Sequence, residues 1–150
     1  MTPDLIDHWL RTCRVGDVKV SQNEKGKCLL ATKDIGKGTY VCRYEGELLN
    51  YKEGLARFES YGAALGSYMI DFKFDGAIYW LDATVSHQQS LGRCINHSIK
   101  ANVKGVSKRV DGNPVIYFKA IKDIKCGSEI LWNYREPRKM ALEQFPFLKQ

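Results

Sequence analysis

From residue 17 onward, short apolar stretches alternate with glycines and charged turn residues, a pattern that predicts strands. The candidates are 17–21, 28–32, 39–44, 47–49, 68–73, 77–81, 115–119 and 129–133. Two patches carry helical character instead: about 51–63, rich in Leu, Ala and Glu, and about 137–145, opening at Pro137. Residues 88–96 read as a shorter helical turn. At the start, Thr2-Pro3-Asp4 combines a capping hydroxyl, a first-turn proline and an early carboxylate. Leu5, Ile6, Trp9, Leu10 and Cys13 follow at helical spacing. This amphipathic helix is expected to pack on the body of the domain, with docking to a partner as the alternative. The whole reads as a mostly β domain with short helices.

One motif occurs twice. Ala31-Thr32-Lys33-Asp34-Ile35-Gly36-Lys37-Gly38 and Ala120-Ile121-Lys122-Asp123-Ile124-Lys125-Cys126-Gly127 share Ala-x-Lys-Asp-Ile-x-x-Gly, and each precedes an alternating apolar strand. Two such units are too few for a solenoid. They suggest two small sheets framing a central segment.

A length of 150 residues gives one domain with room for a core. Hydrophobic content of 44% with 27% charged residues describes a soluble globular chain. No apolar run approaches the ~20 residues of a membrane span, and Asp4 and Asp7 interrupt any signal-peptide core. The five cysteines, Cys13, Cys28, Cys42, Cys94 and Cys126, are scattered and form no Cys-x-x-Cys pair. That argues against a disulfide framework or a zinc site and fits a reducing compartment. The net charge of +6 is unevenly spread: residues 41–82 carry −3 and residues 83–150 carry +7. One reading is ordinary solvated surface. The other gives a cationic peptide to the acidic middle and phosphates to the basic C-terminal third.

Two segments carry the chemistry. Arg93-Cys94-Ile95-Asn96-His97-Ser98 places an amide beside an imidazole at the end of an apolar stretch. Glu129-Ile130-Leu131-Trp132-Asn133-Tyr134 sets two aromatic rings two residues apart, on one face of a strand. Asn96-His97-Ser98 is also a formal glycosylation acceptor, but nothing routes the chain through a secretory compartment. An amide, an imidazole and paired rings suit a nucleotide-like ligand held beside an alkyl chain, as in a methyltransferase.

With Lys25-Gly26-Lys27, Ala31-Thr32-Lys33, Tyr44-Glu45-Gly46-Glu47-Leu48, Gly66-Ser67-Tyr68-Met69, Leu81-Asp82-Ala83-Thr84, Leu91-Gly92-Arg93 and the tail Phe145-Pro146-Phe147-Leu148-Lys149, these segments resemble the SET-domain lysine methyltransferases. The similarity is greatest to the group that monomethylates histone H4 at its lysine-twenty position. It implies several small sheets with a C-terminal pseudoknot, arranged as a flanking segment 1–23, a SET domain 24–135 and a closing segment 136–150. It implies S-adenosylmethionine as cofactor, held by Lys25, Gly26, Lys27, Tyr68, Asn96, His97 and Phe147. Tyr134 would be catalytic, orienting the amine or the transferring methyl. Tyr44 and Trp132, with Asp82, would line the lysine channel. No metal is implied. The implied partners are the histone H4 tail and the nucleosome, with DNA phosphates on the basic third, in the nucleus on chromosomes.

A lysine amine, with a free pKa near ~10.4, loses its proton more readily in an apolar channel beside a sulfonium, so no carboxylate base is nominated. Three positions depart from the family pattern. Cys28 stands for a second glycine, Arg135 for the glycine after the tyrosine, and Trp132 for the Tyr or Phe that governs methyl number. The larger ring predicts monomethylation. Two alternatives remain open: a SET-fold module that binds histone peptide or nucleosome with little or no turnover, and an enzyme of a non-histone lysine.

Overall fold

The computed structural model describes residues 17–24, 26–65, 68–86 and 90–134, leaving aside the side chains of 62–65. The expected N-terminal helix, the 137–145 helix, Lys25, Arg135 and Phe147 lie outside the described residues.

The strands are β1 (Val18–Asn23), β2 (Gly26–Ala31), β3 (Tyr40–Tyr44), β4 (Glu47–Asn50), β5 (Met69–Phe74), β6 (Ala77–Asp82), β7 (Asn96–His97), β8 (Val103–Val110), β9 (Asn113–Ala120) and β10 (Leu131–Trp132). One helix, α1 (Tyr51–Leu65), and a 3-10 turn at Gly92–Cys94 complete the described residues. They build three sheets: β1-β2, β4-β6-β5 and β3-β9-β8-β10-β7. Leu29, Ile95, Phe118 and Ile130 are fully buried where these sheets meet.

The hairpins follow from local chemistry. Asp75-Gly76 and Asp111-Gly112 all have positive φ, and each pair joins two antiparallel strands through a two-residue loop. That is the backbone a type I′ turn demands, and Asp-Gly supplies it with little strain. α1 begins where Asn50 Oδ1 accepts the Glu53 N–H at 2.8 Å, an N-terminal cap. The helix lies flat on Trp80: a Cβ at Gly54 would fall 2.0 Å from the indole, so only glycine permits this approach.

The twice-occurring motif pairs with itself. Ile35 and Ile124 exchange backbone hydrogen bonds at 2.7 and 2.8 Å. Asp34 Oδ1 accepts the Cys126 N–H and Asp123 Oδ1 accepts the Lys37 N–H, both at 2.9 Å. Gly38 donates to the Ala120 carbonyl and Gly127 to the Ala31 carbonyl, both at 2.8 Å. The two turns are thus related by a local pseudo-twofold. This corrects the expectation of two framing sheets, because β3 and β10, which follow the two turns, belong to the same five-stranded sheet.

β8 is a strand the hydrophobic pattern does not announce. Its core-side positions include Gly105 and Ser107, so alternation is invisible there. Gly105 lies beside the Trp132 ring, where a Cβ would stand in ordinary van der Waals contact at 3.5 Å. On the opposite face, Val106 and Val110 pack with Tyr117, Val115 and Tyr40.

β10 runs parallel to both β7 and β8 and lies between them. The 98–102 connection therefore crosses over the last strand, the threading expected of a pseudoknot. Asn102 secures it. This buried amide donates through Nδ2 to the Glu129 carbonyl at 2.8 Å and accepts the Leu131 N–H through Oδ1 at 2.8 Å. Its own backbone N–H donates to the Leu131 carbonyl at 3.0 Å. A buried amide with both ends satisfied fixes a strand without the cost of orphaned polar groups.

Candidate active site

The threading brings residues 96–97 against 131–134. Leu131 pairs with Asn96 and Trp132 with His97. His97 Nδ1 accepts the Tyr134 N–H at 3.0 Å, and the two rings lie 5.1 Å apart. Trp132 and Tyr134 are 5.5 Å apart, as their spacing of two predicts. Their environments differ sharply. Trp132 is 3% exposed and packs edge-on against Phe118 at 4.9 Å, whereas Tyr134 is 41% exposed.

Two phenols, Tyr134 and Tyr44, set the polarity here. The Tyr134 hydroxyl donates to the Ile95 carbonyl. Tyr44 donates to the Tyr68 carbonyl at 2.7 Å, and that oxygen also accepts the Ala83 N–H at 2.9 Å. Each phenol has spent its single proton, so both oxygens remain as acceptors. Burial, with the neighbouring Tyr68, Cys94 and Glu129, pushes the Tyr134 pKa up to about 12. Burial, helped by Tyr134, raises Tyr44 further. At neutral pH both are phenols.

The Arg93 guanidinium lies over the Tyr68 ring at 3.8 Å, a cation–π contact that holds the ring in place while leaving Tyr68 37% exposed. Asn96 donates through Nδ2 to the Lys27 carbonyl at 3.2 Å and to Glu129 Oε2 at 2.7 Å. Gly26 has φ +106° and nothing within 4 Å of where a Cβ would stand, so its backbone faces open space. Gly26, Lys27, Tyr68, Asn96, His97 and Tyr134 thus border one region. Tyr44 and Trp132 stand behind it. Cys28, at the position of the usual second glycine, buries its thiol to 1% exposure.

Asp82 ends β6 inside a cluster of hydrogen bonds. It is 3% exposed, and its oxygens take hydrogen bonds from Tyr61 at 2.7 Å, Arg57 at 3.2 Å and the Thr84 N–H at 2.9 Å. Burial alone would raise its pKa, but the bonds from Tyr61, Thr84 and Arg57 outweigh it and hold the carboxyl below its ordinary range. Arg57 also reaches Glu47. Asp82 anchors α1 to β6 from beneath.

Sequence reasoning assigned no role to Arg93, Asn102 or the Glu129 carboxylate. Arg93 and Glu129 lie inside the two segments that carry the chemistry, but the partners that give them meaning come from other elements. Among the described residues, no group of three or more His, Cys, Asp or Glu is arranged to hold a metal. No described helix is long and apolar enough to cross a membrane.

Residues 26–135 match the SET domain. The chain is 33% identical over 147 residues to N-lysine methyltransferase KMT5A-B of Xenopus laevis, covering 96% of this chain and 44% of that protein. It is 31% identical over 126 residues to Histone-lysine N-methyltransferase Set8 of Drosophila melanogaster, covering 83% of this chain and 18% of that protein. The chain thus spans less than half the length of either relative. Among solved structures, CpSET8 from Cryptosporidium superposes with a TM-score of 0.70 at 31% identity, over 78% of this chain and 56% of that one. A Chaetomium thermophilum Polycomb Repressive Complex 2 chain in an autoinhibited conformation bound to S-adenosylmethionine superposes with a TM-score of 0.66 at 30% identity, over 87% of this chain and 17% of that one. Threaded last strand, small sheets, sequence and superposition agree: the chain belongs to the SET-domain family.

Proposed function

We propose that this chain is an S-adenosylmethionine-dependent protein-lysine N-methyltransferase that adds one methyl group to a histone tail lysine, with the H4 tail as the intended substrate. The observation that carries this reading is the convergence of Asn96, His97 and Tyr134, with Tyr44 close behind. When bound, the cofactor supplies an electrophilic methyl on a sulfonium. The residues that fit it are Gly26, Lys27, Tyr68, Asn96 and His97. They offer exposed backbone, a ring face and polar atoms, and the buried Cys28 thiol does not project into the open space at Gly26. Lys25 and Phe147 complete the set by resemblance.

The protein's own chemistry is positional. A substrate amine must lose its proton and turn its lone pair toward the methyl. The Tyr134 oxygen, its proton given to Ile95, accepts an amine N–H, which sets the direction of that lone pair. A phenol with a pKa of about 12 is no base at neutral pH, so the amine's proton leaves to solvent. Holding the reactants in line lowers the barrier by up to roughly 7–11 kcal/mol in ideal model systems. The buried Trp132 ring, braced by Phe118, narrows the space for a second methyl.

A nucleosomal partner, and with it a nuclear, chromosomal location, has separate support. Lys104 and Lys119 stand directly opposite across β8 and β9, a like-charge pair that an anion lying against it would relieve, with the Lys119 ammonium also 5.7 Å over the Tyr40 ring. DNA phosphates are such anions. Calorimetric titration with S-adenosylmethionine and mass analysis of an incubated H4 peptide test the reading. Binding with a gain of one methyl is expected. Binding without transfer would leave the module that binds histones with little or no turnover, and no binding would remove the cofactor assignment.

A further inference from the structure

Glu129 precedes β10, and its carboxylate collects two amides from other elements. Asn96 Nδ2 donates to Oε2 at 2.7 Å, and Asn23 Nδ2, at the tip of the β1–β2 hairpin, donates to Oε1 at 3.3 Å. Asn96 Nδ2 also donates to the Lys27 carbonyl at 3.2 Å. A carboxylate and a carbonyl are acceptors only, so both must meet the NH2 end of the Asn96 amide. Both of its N–H bonds are therefore used, and the amide cannot flip without setting its oxygen against two others. What it has left to offer is Oδ1, an acceptor fixed in direction. The adjacent negative charge polarises that amide and makes Oδ1 a stronger acceptor.

We infer that Glu129 is a positioning residue that locks the Asn96 amide so that Oδ1 receives the α-ammonium of the cofactor's amino-acid end. The inference rests on the proposal that Asn96 faces the cofactor, and it adds what enforces the amide's orientation. A cationic donor suits an oxygen backed by a carboxylate better than a neutral amine does. The same carboxylate also accepts from Asn23 at the hairpin tip, a contact to a neutral amide that a glutamine oxygen can keep.

The test compares S-adenosylhomocysteine with its analogue lacking the α-amino group, by calorimetry on the full chain. The unmodified protein should prefer the amine-bearing ligand by about tenfold or more, the scale of a hydrogen bond to a charged group. Glu129→Gln should weaken that ligand by a similar factor and leave the deaminated analogue unchanged, so the preference collapses. Asn96→Asp should also lose the preference, because carboxylate then meets carboxylate. Combining it with Glu129→Gln restores a donor between the two side chains and should recover most of the affinity. An equal loss for both ligands in Glu129→Gln, or no loss for either, overturns the positioning role. Failure of the unmodified protein to bind either ligand overturns the cofactor pocket itself, and this inference with it.

Discussion

The backbone N–H of Tyr134 donates to Nδ1 of His97 at 3.0 Å, joining residues 37 apart in sequence. Accepting at Nδ1 leaves the imidazole proton on Nε2, so the tautomer is set by the same bond that sets the tyrosine's backbone. The two candidate site segments are one unit because of this bond and the strand pairing beside it.

His97→Phe keeps a ring against Tyr134 but removes the acceptor. A single hydrogen bond is worth about 1 kcal/mol, or roughly 2–4 °C in melting temperature at this size. Methyl transfer should fall much further, on the order of 10–100-fold, because the phenol loses its alignment. Melting curves and initial rates on one preparation check the split.

Trp132→Phe should raise the fraction of dimethylated peptide in a mass-spectrometric assay. The indole is braced by Phe118 and backed by Gly105, so it does not swing aside, and only a smaller ring opens the space. An unchanged product distribution contradicts the steric account.

Alkaline titration should resolve the site tyrosine. The folded pKa of about 12 lies above the ordinary value of ~10. Its stabilising effect is full below pH 10 and is lost as pH rises from there through about 12. Tyr117 behaves alike, pushed up to about 12 by burial and its bond with Tyr40. In ultraviolet titration, Tyr134→Phe should delete a late-ionising phenol and leave the ordinary ones unaltered.

The opposite sign applies at Asp82, whose carboxyl is held below its ordinary range. Its stabilisation is present above the ordinary carboxylate pKa and is lost as pH falls through the depressed one. Tyr61→Phe removes one bond to this buried charge and should cost roughly 1.5–3 kcal/mol. It should also move acid unfolding to higher pH, measurable by circular dichroism.

Much of the fold was legible because short strands and their turns are local events. The helix over 51–63 follows from composition and is extended only slightly, to Leu65. The repeated Asp-Ile turns were visible as text, but their reciprocal bonds were not, since nothing in one turn names its partner. β8 escaped because Gly105 and Ser107 occupy its inner face. Asp111-Gly112, a strong local hairpin signal, is what could have revealed it. Asn96, His97 and Tyr134 were singled out by their segments, and the resemblance, not their spacing, set them side by side. The resemblance named Asp82 for the channel, and its bonds with Tyr61 and Arg57 of α1 were not legible. Glu129 acquires meaning only once threading carries it to Asn96.

The most direct test of the account is transfer of a labelled methyl group from S-adenosylmethionine to nucleosomes and to free histones, with Tyr134→Phe alongside. Labelling of a histone lysine that falls at least tenfold in the variant, with the fold intact, is the predicted result. Undiminished labelling by the variant would contradict it.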